Sequence, residues 1–313
     1  MPDIPAFDDL RNGGKAAMAR ALAAVEQFTD DKAVTALLDG AWNAGRAHVI
    51  GLTGPPGVGK STLINGLLKA WRQQGRSAGV IAVDPTSRKT GGALLGDRTR
   101  LSTDPDDNGV FVRSMAARDR LGGLAALTFP AMILMRSVFD LMLIETVGVG
   151  QSETDVANVT DTVIFCIQPG SGDSLQFMKA GIMEVPHIAV VTKADMQAAA
   201  TRAKADVEGA LGLSETGAGE WLAPVLSLSA ARNDGIDALV NEIDRHRDWL
   251  AQTGEGARVR AKQSRQWLSE IVREQFGLRG LAQVRNEIDK DTGASPFSRS
   301  TAILNKLDQT VSH

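Results

Sequence analysis

Cysteine is almost missing from this 313-residue sequence: the one copy, Cys166, cannot close an intrachain disulfide, so a cross-linked scaffold is excluded. Histidine is nearly as scarce. The four copies, His48, His187, His246 and His313, are scattered and show none of the spacing that structural metal sites need. Excess charge of either sign is lacking too. With 34 Lys and Arg against 37 Asp and Glu, the formal charge of −3 argues against a partner held by bulk charge on a phosphate backbone, so no nucleic acid is expected. Long apolar runs are absent: the best, Leu121 to Met135, is broken by Gly122, Gly123, Thr128 and Pro130. It falls short of the roughly 20 residues that a bilayer span requires, and no membrane association is expected. Residues Met1 to Asp9 are acidic and lack the basic-then-apolar order of a secretion signal, so a cytoplasmic, reducing setting is expected. What is present is a hydrophobic share of 43%, ample for a core and against disorder, in a length that suggests about two domains.

The apolar rhythm changes along the chain. Up to residue 46 it is helical, with Met18, Leu22 and Val25, then Val34, Leu37, Leu38, Ala41 and Trp42, spaced by three and four as in amphipathic helices packed on the next domain. From Ala47, short β-branched runs alternate with longer helical ones, the pattern of a mainly parallel sheet covered by helices. The strands expected are Ala47–Thr53, Gly79–Asp84, Val110–Arg113, Phe139–Glu145, Thr162–Ile167, His187–Thr192 and Pro224–Ser229. Helical runs cover Lys60–Gln74, Leu124–Ser137, Ser174–Met183, Gln197–Leu211 and Ile236–Leu250. After Gly254-Glu255-Gly256 the strands stop. Trp267, Leu268, Ile271, Val272 and Phe276 form a helical stripe ended by Gly277, followed by weaker ones through Leu278, Leu281 and Ile288 and then through Ile303, Leu304, Leu307 and Val311. The expected organisation is an N-terminal helical segment over 1–46, an α/β domain over 47–253 and a helical extension over 254–313.

Glycine-rich turns follow most of the strands: Gly54–Gly59, Thr90-Gly91-Gly92, Leu121-Gly122-Gly123, Gly148-Val149-Gly150 and Pro169–Gly172. Open α/β sheets bind ligands beyond the carboxyl ends of their strands, so one edge of this sheet is expected to carry the chemistry.

The strongest signal is Gly54-Pro55-Pro56-Gly57-Val58-Gly59-Lys60-Ser61-Thr62, a complete G-x-x-x-x-G-K-[ST] between an apolar strand and a helical run. Its backbone N–H groups and the helix start would cradle phosphates, Lys60 would neutralise the β and γ oxygens, and Ser61 would ligate Mg²⁺. A metal-ordering acid is then needed at the end of a neighbouring strand. Glu145 is the candidate, and the Gly148 N–H beyond it could contact the γ-phosphate. Asp84 could orient the attacking water or a metal-bound water. Asp97 could join the Mg²⁺ shell, or instead pair with Arg98 or Arg100 on the surface.

The base is read from Thr192-Lys193-Ala194-Asp195 after an apolar strand. An Asp195 carboxylate can accept both the ring N–H and the exocyclic amine of guanine, whereas adenine offers an unprotonated ring nitrogen there, so GTP is favoured over ATP. Lys193 would lay its aliphatic stem over the base. The usual form of this motif opens with Asn, so Thr192 is expected to leave one hydrogen bond to the phosphate loop unmade. Ser229-Ala230-Ala231, after a further strand, is the candidate backbone clamp on the guanine oxygen.

With the phosphate loop, Asp84, Glu145-Thr146-Val147-Gly148, Thr192–Asp195 and Ser229-Ala230 in this order, the chain resembles the methylmalonyl-CoA mutase-associated GTPases, the MeaB/ArgK-like family of SIMIBI-class P-loop GTPases. The likeness extends through Val83–Ser87, Gly91–Arg100, Val112–Ala116, Glu145–Glu153, Pro169–Gln176 and Gly181–Glu184. The resemblance implies a P-loop NTPase fold in which a predominantly parallel sheet is sandwiched by helices. It implies a homodimeric G-protein chaperone for an adenosylcobalamin-dependent acyl-CoA mutase, with the C-terminal helices as dimerisation arm. GTP binding and hydrolysis would gate cofactor loading and protect the mutase. It also implies nucleotide-responsive loops around 86–97 and 121–123, and a loop over 168–179 that couples to the mutase. Two other readings share the phosphate loop. A metallochaperone GTPase would offer a Cys/His metal site, and a small-molecule kinase would have a lid and a substrate carboxylate in place of Asp195.

Overall fold

The computed structural model describes residues 3–28, 31–85, 101, 104–117, 127–146, 155–170, 186–212, 219–290 and 292–311, the side chains at 84, 85, 116 and 117 excepted. Its contacts divide the chain into two compact units, one of residues 48–125 and 140–256, the other of 1–47, 126–139 and 257–313.

The first unit is built on seven strands: β1 (His48–Thr53), β2 (Ala78–Pro85), β3 (Val110–Ala117), β4 (Leu141–Glu145), β5 (Thr162–Ile167), β6 (Ile188–Val191) and β7 (Val225–Ser227). They lie in the order β3-β2-β4-β1-β5-β6-β7, every pairing parallel. Each expected strand is found, with ends moved by a few residues. Val-, Ile- and Leu-rich runs form these strands because a parallel sheet is covered on both faces: every residue of β1, β5 and β6 is buried. The edge strand β7 is only partly buried and correspondingly short, three residues where Pro224–Ser229 was expected.

Helix α4 (Lys60–Gln73) follows β1, α6 (Ala198–Leu211) follows β6 and α7 (Ile236–Thr253) follows β7. Leu63, Ile64, Leu67 and Trp71 of α4 meet Ile236, Leu239, Val240 and Ile243 of α7 in one core with the strands. Burying each such side chain contributes roughly 1.5–3 kcal/mol. The two helices approach at Gly66, where an added Cβ would lie 3.0 Å from Ile236 Cδ1. The expected Ser174–Met183 helix and the turns at Thr90–Gly92, Leu121–Gly123 and Gly148–Gly150 fall outside the described residues.

The other unit is helical. The apolar stripes of α2 (Gly14–Gln27) and α3 (Lys32–Asn43), preceded by α1 (Phe7–Asn12), meet α5 (Thr128–Arg136), and α3 also meets α9 (Pro296–Val311). Phe129 of α5 is the hub: its ring centroid lies 6.5 Å from Trp42, 5.3 Å from Trp267 and 6.0 Å from Phe297. Trp267 belongs to α8 (Glu255–Asp289), whose backbone leaves helical values at Gly277 (φ 66°, ψ −166°). That is where the sequence stripe ends.

A second cluster of side chains lies at the amino ends of the strands. Three of the four histidines, scattered in sequence, come together there. Thr162, opening β5, bridges His48 Nε2 at 2.6 Å and His246 Nδ1 at 2.7 Å through its hydroxyl. The His187 and His246 rings stack with centroids 4.4 Å apart, and Trp221 and Trp249 lie against His246 at 4.6 and 5.6 Å. The parallel topology gathers strand starts that are far apart in sequence. An Asp161 carboxylate oxygen sits 3.6 Å from His48 Nδ1. Among the described residues no hydrogen-bond partner reaches His246 Nε2. Burial holds two of these rings neutral, pushing His187 down to about 4 and His246 lower still, in each case mainly by desolvation. Among the described residues no group of three His, Cys, Asp or Glu has a metal-holding arrangement.

Candidate functional site

The polar chemistry lies at the other end of the sheet, on the carboxyl rim. Strand β1 runs into Gly54, whose φ of 135° suits glycine alone and whose added Cβ would fall 2.3 Å from the Cys166 carbonyl of β5. Gly57 and Gly59 also have positive φ, so the chain between β1 and α4 folds back as a loop. Helix α4 starts at Lys60 with no side-chain cap, unlike α3, where Asp31 accepts from Ala33 N–H. The first turn of α4 thus has no side chain covering its N–H donors, an anion-binding arrangement. Lys60, 7% exposed, turns its ammonium onto the carbonyls of Gly54 (2.6 Å) and Pro55 (3.1 Å).

Strands β1 and β4 are neighbours, with Leu52 opposite Glu145. That register brings Ser61 Oγ to 3.1 Å from Glu145 Oε1, joining two of the four sequence-predicted metal ligands. A hydroxyl and a carboxylate beside a phosphate loop are hard oxygen donors of the kind Mg²⁺ takes. The backbone of Asp84 stands at the end of β2, two residues past Ala82, which pairs with Glu145. The Asp84 side chain, Asp97 and Gly148 lie outside what the structure describes.

The base-side motif is tied to the phosphate loop. Thr192, buried after β6, donates its hydroxyl toward Val58 O at 2.7 Å, with Ile167 O at 3.1 Å. The loop bond expected to be unmade with Thr in place of Asn is present. Lys193 Nζ donates to Gly57 O at 3.0 Å. Asp195 Oδ1 accepts from the buried Ser229 hydroxyl at 2.8 Å, and that bond, ahead of the Asp195 backbone N–H, Arg232 and Lys193, holds its carboxyl below the usual range. The Ser229 N–H is taken by Asp234 O at 3.0 Å, so of the three clamp candidates Ala230 and Ala231 are the ones with backbone amides left for a carbonyl.

Two contributors were missed. Thr146 donates to Thr53 at 3.0 Å, linking the ends of β4 and β1 through buried hydroxyls, and Gln168 Oε1 accepts from Lys193 at 2.8 Å. Each stands at or just past a strand's carboxyl end, which was the available signal. Cys166 is buried and free, its thiol pushed up to about 12 by desolvation, which makes it a packing residue.

Residues 18–284 match the family described as "Methylmalonyl Co-A mutase-associated GTPase MeaB". The chain belongs to that family. It is 41% identical to a GTPase-named protein of Pyrococcus abyssi over 85% of this chain and 82% of that one. It is 36% identical to "Methylmalonic aciduria type A homolog, mitochondrial" of Mus musculus over 72% of this chain and 55% of that one. Among solved structures, "LAO/AO transport system kinase" superposes with a TM-score of 0.69 at 27% identity, covering 98% of this chain and 96% of the other. The MeaB-family chain is therefore a GTP hydrolase with a P-loop NTPase fold that binds guanine nucleotide. Among its described residues no helix is long and apolar enough to cross a membrane.

Proposed function

We propose that this GTPase works with Mg²⁺ on its carboxyl rim as a G-protein chaperone of an adenosylcobalamin-dependent acyl-CoA mutase, gating cofactor loading and protecting the mutase in the cytoplasm. The observation that carries the site is the Ser61–Glu145 hydrogen bond at the uncapped start of α4, beside a lysine whose ammonium lies on loop carbonyls that it can exchange for phosphate oxygens. The family description and the name of the mouse relative, which refers to methylmalonic aciduria, support the mutase as partner.

In this reading the loop amides of 54–62 hold the phosphates, and Lys60 leaves Gly54 O and Pro55 O for the β and γ oxygens. Ser61, Glu145, Asp84 and Asp97 hold the metal ion. Bound Mg²⁺ would supply charge neutralisation at those oxygens. Asp84 orients the attacking water, and the Gly148 amide meets the γ-phosphate. Asp195, fixed by Ser229, keeps its carboxylate for the guanine ring N–H and amine, while Ala230 and Ala231 face the guanine carbonyl. Residues 254–313 act as a dimerisation arm, tested by sedimentation velocity. A mutase added to the GTPase changes the rate of phosphate release from GTP and co-purifies with it. An unaltered rate together with no complex would remove the chaperone role while leaving the GTPase intact.

A further inference from the structure

Lys193 is held in an unusual way. It sits just past β6 at φ 53°, a left-handed conformation that non-glycine residues adopt at a cost. Its ammonium reaches two acceptors on two different segments: Gly57 O of the phosphate loop at 3.0 Å and Gln168 Oε1, the residue immediately after β5, at 2.8 Å. β5 lies between β1 and β6 in the sheet, so Gln168 stands between the loop and the lysine. A free lysine is among the most flexible side chains, and one exposed hydrogen bond to a carbonyl orients it weakly. Two acceptors on separate segments, one a backbone carbonyl and one a side-chain amide, draw the stem into a fixed line, and a fixed stem forms a flat apolar rail.

We infer that Gln168 is a positioning residue for the nucleotide base: through its hydrogen bond to Lys193 it fixes the aliphatic stem against which the guanine plane lies, and thereby sets how long the nucleotide stays bound. The inference rests on the reading that Lys193 and Asp195 flank the guanine. Gln168 acts through the base-side lysine, so its effect belongs to residence time and not to the hydrolytic step.

The test is the release rate of a fluorescent GDP analogue from the Mg²⁺-loaded full chain, chased with unlabelled GDP. Gln168→Leu keeps the volume and removes the acceptor, and release accelerates by about three- to tenfold, the loss expected for one hydrogen bond to a charged group at a partly exposed site. Gln168→Glu restores an acceptor and adds charge, and release is as slow as in the unaltered chain or slower. In a Lys193→Ala background, Gln168→Leu adds no further acceleration, because the route runs through the lysine. Single-turnover hydrolysis of bound GTP by Gln168→Leu stays near the rate of the unaltered chain. Release from Gln168→Leu at the unaltered rate overturns the inference, as does equal acceleration by Leu and Glu or full additivity with Lys193→Ala. Asp195→Asn separates the two levels. If that substitution moves preference toward xanthosine nucleotides while Gln168→Leu is silent, the inference alone fails; if preference does not move, the base-side reading fails beneath it.

Discussion

The two ends of one parallel sheet have opposite characters. At the carboxyl ends, β1 and β5 run on to the positive-φ glycines Gly54, Gly57, Gly59 and Gly170, β6 runs on to the exposed Lys193, and the Glu145 and Asp195 carboxylates meet hydroxyls. At the amino ends, β1, β5 and β6 begin with or beside His48, Thr162 and His187, closed over by His246, Trp221 and Trp249 in a buried cluster linked through the Thr162 hydroxyl. The same strands make both ends, so the difference comes from the segments that flank them. Glycine loops leave backbone amides and charges available to a ligand, whereas the histidine rings pack on one another and on tryptophans, with Thr162 as their shared hydrogen-bond partner. Substitutions at the carboxyl rim should therefore change nucleotide chemistry with little effect on folding, and substitutions at the amino rim should do the reverse.

The largest expected effect is Lys60→Ala, which lowers GTP turnover by roughly 100-fold or more through loss of the charge facing the β and γ oxygens. A thermal melt in the absence of nucleotide checks the other half, the midpoint staying near that of the unaltered chain. A large fall in that midpoint would blur the distinction between the ends. Next comes Asp195→Asn, expected to move preference from guanosine toward xanthosine nucleotides by on the order of 100-fold, read from competition binding.

At the amino rim, His246→Ala removes a fully buried ring stacked on His187 and Trp249 and is expected to cost about 2–4 kcal/mol in denaturant unfolding. Its affinity for GDP should stay within about twofold, since the proposed nucleotide site lies at the opposite end of the strands. The smallest effect is on pH dependence. His187 and His246 titrate in the unfolded chain near 6.5, while in the folded chain burial holds His187 at about 4 and His246 lower. The unfolded state thus binds more protons as pH falls below 6.5. Each ring then removes about 1.4 kcal/mol of stability per pH unit, down to its folded value. Exchanging His187 for Gln should flatten the stability profile between pH 6.5 and 4. An unchanged slope would mean that this ring is not held neutral.

How far the sequence could be read differs between the same two ends. The phosphate loop is legible because Gly54–Thr62 is contiguous and each residue type has a local reason. The strands are legible because their apolar runs are continuous, with β7 overestimated where an edge position relaxes the demand for burial. The amino-rim cluster is not legible, since only the parallel order β1-β5-β6 brings His48, Thr162 and His187 together. Nor does chain order reveal that α5, which lies in sequence between β3 and β4, folds with the terminal helices around Phe129. Thr192 shows the limit of motif reading at the carboxyl rim. The departure from Asn was visible in the sequence, but the position of Val58 O that compensates for it was not.

The most direct test of the central claim is calorimetric titration of the purified, Mg²⁺-supplied chain with GTP and with GDP, ATP serving as control. The expected result is saturable heat with one guanine nucleotide bound per chain, much weaker binding of ATP, and loss of the GTP signal when Gly54–Ser61 is disrupted by Lys60→Ala. No heat from either guanine nucleotide, or equal affinity for ATP, would contradict it.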